Sequence, residues 1–230
     1  RHTRSTVVTG VQCALPILSF AQTTAPFDVV LEPITITDLP GIQSYAAAEY
    51  DGKWLIIGGR LDGLHQRQPW QSFDDAGHNR DVYVIDPVNA TYHHAPLSGL
   101  SNDTLEAQLS ATNANFIMRD SILLLVGGYG LSAESVHITH PMLTAINVPA
   151  MMHQIIQQGQ ITAATTQTIT DSNFAVTGGK LLQLDTTFML VGGQRFDGQY
   201  NPMGHNTYVQ AYTNAFRSTR RASHFSQESY

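Results

Sequence analysis

An all-β fold assembled from repeated four-stranded units is what this sequence predicts, and three observations predict it. Aligned on their double glycines, SYAAAEYDGKWLIIGGR (44–60), ATNANFIMRDSILLLVGGY (111–129) and FAVTGGKLLQLDTTFMLVGGQ (174–194) are three copies of one pattern. In each, an aspartate (Asp51, Asp120, Asp185) stands seven residues before the first glycine (Gly58, Gly127, Gly192). Each aspartate is flanked by short runs rich in Ile, Leu, Val, Phe, Tyr and Trp, and a repeat of this period is the mark of stacked supersecondary units.

The first element of every copy is a hairpin. Asp51-Gly52 is the clearest turn dipeptide, because glycine adopts positive φ without a steric cost. Asp120-Ser121 and Asp185-Thr186 occupy the same place with weaker turn residues. The pairs Gly58-Gly59, Gly127-Gly128 and Gly192-Gly193 close the second strand, where a Cβ would obstruct a bend or a close backbone approach. A long polar loop follows each pair, then more strand pattern. Copy one gives DVYVIDP (81–87) and ATYHHAPL (90–97), copy two LTAINVP (143–149), and copy three TYVQAYTNAFR (207–217). Four short strands per copy, at spacings of 69 and 65 residues, match a propeller blade with long insertions.

Two inserted helices are expected. SNDTLEAQL (101–109) opens one with Asp103 as cap and Glu106 completing a capping box. Pro149 to Gln158 forms the other, with proline in the first turn and Gly159 just past the end.

Composition narrows the class. The chain has 230 residues, of which 42% are hydrophobic and 13% charged, a balance that supports a packed core rather than disorder. With 12 basic and 18 acidic residues the net charge is −6, which gives no nucleic-acid or anionic-membrane footprint. No apolar run reaches the roughly 18–20 residues of a membrane helix. A single cysteine, Cys13, excludes an internal disulfide and a multi-cysteine metal site.

Both ends differ from the middle. RHTRSTVVTGVQCALPI (1–17) resembles the translation of a sequencing-adapter read-through and is set aside as an assembly scar. Residues 18–26 read as the remnant of a secretory signal, with Ser19-Phe20-Ala21 offering small residues at the positions a signal peptidase reads. Secreted, periplasmic or cell-surface location is the corresponding expectation. STRRASHFSQESY (218–230) breaks the apolar alternation and reads as a non-native tail. The domain proper is 27–217.

The repeated strand-plus-Gly-Gly units, together with aromatic-bearing strands such as DVYVIDPVNATY (81–92), resemble kelch-repeat β-propellers. PGIQSYAAAEYDGKWLIIGGRLDG and FDGQYNPMGHN are similar to secreted kelch-like proteins of Bacteroidetes-type bacteria. The chain departs from the family in that Tyr92 stands where the blade tryptophan is expected, and copy two lacks the Asp-Gly and Gly-His-Asn elements. Propellers close with 4–8 blades. The resemblance therefore implies a partial propeller of about three blades from a longer ring, in which FDVVLEPITIT (27–37) could complete a last blade.

The candidate site lies in the loops after the Gly-Gly strands. Arg60, Asp62, Trp70, His78 and Asn79 share the first, along with His65 and Arg67, and Arg195, Asp197, Tyr200, His205 and Asn206 share the third. Such loops converge at one end of a propeller. Asp, Asn and Arg bond sugar hydroxyls bidentately, and Trp70 or Tyr200 would stack on a ring face. The structural alternative is that Asp-Gly and Gly-His-Asn simply satisfy loop backbone.

No catalytic residue, cofactor or metal is expected. His93-His94 point to opposite faces of a strand, His137-x-x-His140 lacks an accompanying carboxylate, and Asp74-Asp75 lacks the alternating ligands of a calcium loop. The favoured function is a binding module for an unidentified glycan or protein. The family resemblance leaves two alternatives. One is a sugar mutarotase-like enzyme, for which Arg60, Asp62, Arg195 and Asp197 would supply acid/base groups. The other is an intracellular interaction scaffold. A copper-radical oxidase needs a Cys-Tyr cross-link that 27–217 cannot provide.

Overall fold

The computed structural model describes residues 27–63, 71–201 and 203, and the backbone of 208–210, 214–218 and 225–226. The adapter-like and signal-like segments lie outside the described residues. All of the strands fall within Ile34–Tyr230, which holds together as one unit.

The architecture is three antiparallel four-stranded sheets. The first runs β1 (Ala46–Tyr50), β2 (Lys53–Ile57), β3 (Asp81–Asp86), β4 (Thr91–Pro96) in spatial order. The second contains β5 (Asn115–Arg119), β6 (Ile122–Val126), β9 (Met142–Asn147) and β10 (Thr166–Thr170), each beside its predecessor. The third contains β11 (Lys180–Leu184), β12 (Thr187–Val191), β15 (Asn214–Ser218) and β16 (Phe225–Ser226). Two short hairpins are set in the long loops: β7 (Tyr129–Leu131) with β8 (His137–Thr139), and β13 (Gln194–Phe196) with β14 (Tyr208–Gln210). Among the described residues no sheet closes on itself.

Each opening hairpin turns where the repeat places its aspartate. Asp51, Asp120 and Asp185 all take left-handed backbone, at φ 52°, 52° and 53°. Gly52 adds a second positive φ only in the first copy. Register follows directly, with Tyr50 opposite Lys53, Arg119 opposite Ile122 and Leu184 opposite Thr187.

The sheets stack face on face. Leu55 and Ile57 of the first meet Leu123, Leu125 and Ile146 of the second in one buried cluster. On its opposite face the second sheet presents Leu124, Val126 and Leu143 to Leu181, Phe188 and Leu190 of the third. β6 is thus buried on both faces, which is why its sequence ILLLV is apolar throughout instead of alternating. Fully burying each of these side chains contributes about 1.5–3 kcal/mol.

Two helices widen the first interface. α1 (Asp103–Leu109) and α2 (Val148–Gln158) add Leu105, Leu109, Val148, Met151 and Ile155 to the cluster between the first and second sheets. α2 ends at Gly159 with φ 62°, as its sequence requires. Its cap is Asn147, whose side chain accepts from the Ala150 N–H.

Three expectations are corrected. α1 is capped by Asn102, accepting from the Leu105 N–H at 3.1 Å, and not by Asp103. Ser101 takes left-handed backbone just before it, so the chain enters the helix one residue earlier and Asp103 falls in the first turn. The segment 27–37 forms no strand; residues 27–35 are exposed and pair with nothing in a sheet. The run 207–217 is two strands, because β14 joins the loop hairpin while β15 joins the third sheet.

Candidate functional site

The site begins with the double glycines. Gly59, Gly128 and Gly193 lie at φ 88°, 93° and 89°, and the first glycine of each pair is also left-handed. The residue after each pair then bonds back to its own sheet's entry segment. Arg60 exchanges backbone bonds with Gln43, Tyr129 with Thr112, and Gln194 with Thr177. Three loops therefore leave three sheets by the same path.

They come together. Phe73 of the first loop meets Tyr129 of the second edge-on, with ring centroids 5.1 Å apart, and Tyr200 of the third at 5.6 Å. Tyr129 stacks on His137 at 5.9 Å and meets Phe196 at 5.6 Å. Polar bonds fix the same junction. The Tyr129 hydroxyl donates to the Gly198 carbonyl and accepts from the Tyr200 N–H, both at 2.8 Å. Gln199 Nε2 donates to the Ser72 carbonyl, and the Thr139 hydroxyl to the Phe196 carbonyl. Burial pushes the Tyr129 phenol up to about 12, so it stays protonated and keeps donating.

Beneath these rings sits a charged pair. Arg60 is only 2% exposed, and its Nε and Nη2 grip the two Asp62 oxygens at 2.8 and 2.5 Å. Nη2 also donates to the Asp74 carbonyl, and the guanidinium lies 5.3 Å over the Phe73 ring. Arg60 holds the Asp62 carboxyl below the usual carboxylate range, outweighing the opposing effect of burial. The third loop repeats this pair in exposed form, with Arg195 Nε donating to Asp197 Oδ1 at 3.2 Å.

His78 and Asn79 take different parts. Asn79 Nδ2 donates to the Gly58 carbonyl, and its Oδ1 accepts from the Asp81 N–H, so this amide staples the loop to its own sheet. His78 is buried, with Nδ1 bonded to the Ser110 carbonyl at 3.3 Å. Burial and then the Arg60 charge lower its pKa, so the ring is neutral at pH 7 and presents Nε2 as an acceptor. His140 is similarly buried; burial, then the charge of His78, takes it down to about 4. Arg60 Nη1, Ser72 Oγ, His78 Nε2 and His140 Nε2 are buried with no hydrogen-bond partner among the described residues. Buried polar atoms are rarely left so, and such a group calls for water or a ligand.

Tyr200 is half-buried at the rim of the aromatic cluster. Trp70, His65, Arg67, His205 and Asn206 lie outside the described residues. His94 leans on Asp81, and His137 bonds the Phe73 carbonyl. No group of three or more His, Cys, Asp or Glu arranged to hold a metal occurs among the described residues. No described helix is long and apolar enough to cross a membrane.

Sequence reasoning missed Phe73, Tyr129 and Phe196, and weighed His137 and His140 only as metal ligands. Tyr129 could have been found, since it directly follows the second Gly-Gly as Arg60 follows the first. No protein-family model matches the chain, and no curated protein sequence matches it.

Proposed function

We propose that the chain is part of a kelch-type β-propeller, and that its three post-glycine loops form one ligand-binding face for a glycan in a secreted or surface-exposed protein. The observation carrying this reading is the convergence of the three loops on the Phe73–Tyr129–Phe196–Tyr200 cluster over buried, unpaired polar groups. Aromatic edges beside Arg195 and Asp197 suit sugar rings and hydroxyls. Face-on-face stacking of three four-stranded antiparallel sheets, at a regular sequence spacing, supports the propeller reading.

A mutarotase-like enzyme draws less support. Both Asp62 oxygens are engaged by Arg60, which keeps the carboxyl ionised and unable to act as an acid near neutrality. Glycan-array screening of the wild-type chain, followed by titration of any hit against Tyr200→Ala and Arg195→Ala, tests the proposal. At least tenfold weaker binding by each variant is expected. A wild-type chain that binds no glycan, or variants that bind as tightly as wild type, would overturn it.

A further inference from the structure

Beneath the loop junction, three buried side chains each keep one polar atom unused. Arg60, His78 and His140 are 2%, 4% and 2% exposed, and Arg60 Nη1, His78 Nε2 and His140 Nε2 have no hydrogen-bond partner among the described residues. They belong to one neighbourhood. Arg60 and His78 face each other across an antiparallel bridge, the Arg60 charge acts on the His78 ring, and the His78 charge acts on the His140 ring. The Gly130 backbone closes on His78, where an added Cβ would stand 3.1 Å from Cε1. Ser72, fully buried, adds a hydroxyl in the same condition beside Phe73, and the Phe73 ring lies 5.3 Å from the Arg60 guanidinium.

The rest of each side chain fixes what its unused atom can do. His78 bonds the Ser110 carbonyl through Nδ1, so the proton stands on Nδ1 and Nε2 is a bare acceptor. His140 bonds the Leu131 backbone while its Nε2 has no partner, which leaves a second bare acceptor. Arg60 engages Asp62 and the Asp74 carbonyl through Nε and Nη2, so Nη1 remains as a donor. Asp62 already balances the Arg60 charge. One donor and two acceptors then call for a neutral group that gives two protons and takes one. A carboxylate or phosphate would bring only acceptors to two acceptor imidazoles. An ammonium or metal cation would face the Arg60 guanidinium. Two adjacent hydroxyls supply the whole set, because each donates one hydrogen bond and accepts others.

The residue above them is unusual. Phe73 takes left-handed backbone at φ 58°, a conformation that a bulky side chain rarely holds and that functional loops retain. Two other loops keep it there: His137 bonds the Phe73 carbonyl, and Gln199 donates to the Ser72 carbonyl.

We infer that a pair of vicinal hydroxyls on a neutral ligand is received beneath Phe73, donating to His78 Nε2 and His140 Nε2 and accepting from Arg60 Nη1. The Phe73 ring is the cover that such a ligand must displace. This rests on the glycan reading and deepens it, by naming the part of a sugar that is gripped. The gripping atoms are buried ones, distinct from the exposed Arg195–Asp197 pair.

NMR of the histidine ring nitrogens in the full 230-residue chain at pH 7.5 tests it, with glycerol as the neutral diol probe and acetate as the anionic one. Glycerol is expected to move the His78 and His140 Nε2 signals along a saturating curve, with a Kd on the order of 10–100 mM for so small a ligand. Acetate at equal concentration should leave both signals in place. His140→Leu should abolish the His78 response, and Phe73→Gly, which suits the left-handed backbone and removes the cover, should tighten glycerol at least threefold. The two wild-type titrations decide the matter even where a variant does not fold. Signals that glycerol leaves still would mean that water alone fills the place and would overturn the inference. So would an equal response to acetate, a His78 response that survives His140→Leu, or a Phe73→Gly chain that binds glycerol no tighter. A glycerol response in a chain that binds no glycan on the array would sustain this inference and remove the glycan reading; array binding without a glycerol response would do the reverse.

Discussion

At the residue scale, polar groups beneath the loops set how the protein responds to substitution and pH. Asn79 serves two backbone groups at once, so Asn79→Ala leaves the Gly58 carbonyl and the Asp81 N–H unpaired in a buried place. A loss of about 2–4 kcal/mol is expected from urea denaturation. His140 titrates at about 4 in the folded chain, against 6.5 for an ordinary histidine, and His78 is shifted the same way. Between those values the unfolded chain binds more protons, so stability falls as pH drops. It should be level above about pH 7 and decline from 6.5 towards 4, by roughly 3 kcal/mol from His140 alone. Comparison of urea midpoints at pH 7.5 and 4.5 for wild type and His140→Leu checks this; a wild-type midpoint that does not fall would refute it. His78 and His140 illustrate what sequence could not supply. Nothing local to them says that they will be buried, because their burial comes from loops of two different sheets meeting.

Among the elements, the hairpins were the most legible and the loops the least. Aspartate seven residues before Gly-Gly, with apolar runs on both sides, specified β1–β2, β5–β6 and β11–β12 with their turns. Gly159 likewise marked the end of α2. The first helix cap was misassigned because Asn102, Asp103 and Ser101 are all capping residue types, and only the left-handed Ser101 decides among them. FDVVLEPITIT has strand-like composition, but a strand needs a neighbour to pair with, and composition does not provide one. The glycine pairs make a sharper prediction. Gly127→Ala forces a Cβ into the Val176 carbonyl and should lower stability by more than about 3 kcal/mol. Gly192→Ala meets open space and should cost only the left-handed backbone penalty, about 1–2 kcal/mol. Thermal melts of the two variants side by side separate a packing role from a conformational one; equal losses would contradict this account. Asn147→Ala should cost about 1 kcal/mol through the α2 cap, read from the same melts.

For the whole molecule, three copies of one pattern were enough to give a mostly β chain of stacked antiparallel sheets with two helices, since β6 can be apolar throughout only if both its faces are covered. The candidate site was legible in part. Arg60–Asp62 and Arg195–Asp197 were visible as a repeated Arg-x-Asp, whereas the aromatic junction that joins the loops required the sheets to be placed first. Stacked units of this kind share stability mainly with their neighbours. The second sheet has a neighbour on both sides in every described contact.

The backbone bonds from Gly59 to Ala111 and from Gly128 to Val176 run from one sheet to the next, separate from the ladders within each sheet. These bonds break in order of their support. Amide exchange with deuterium should therefore be slowest at Gly59 and Gly128, whose hydrogens are locked between units, and faster at Gly193, for which no such bond occurs among the described residues. Three chemically similar glycine amides in one chain would thus keep different time, and their order would show where the stack begins to come apart.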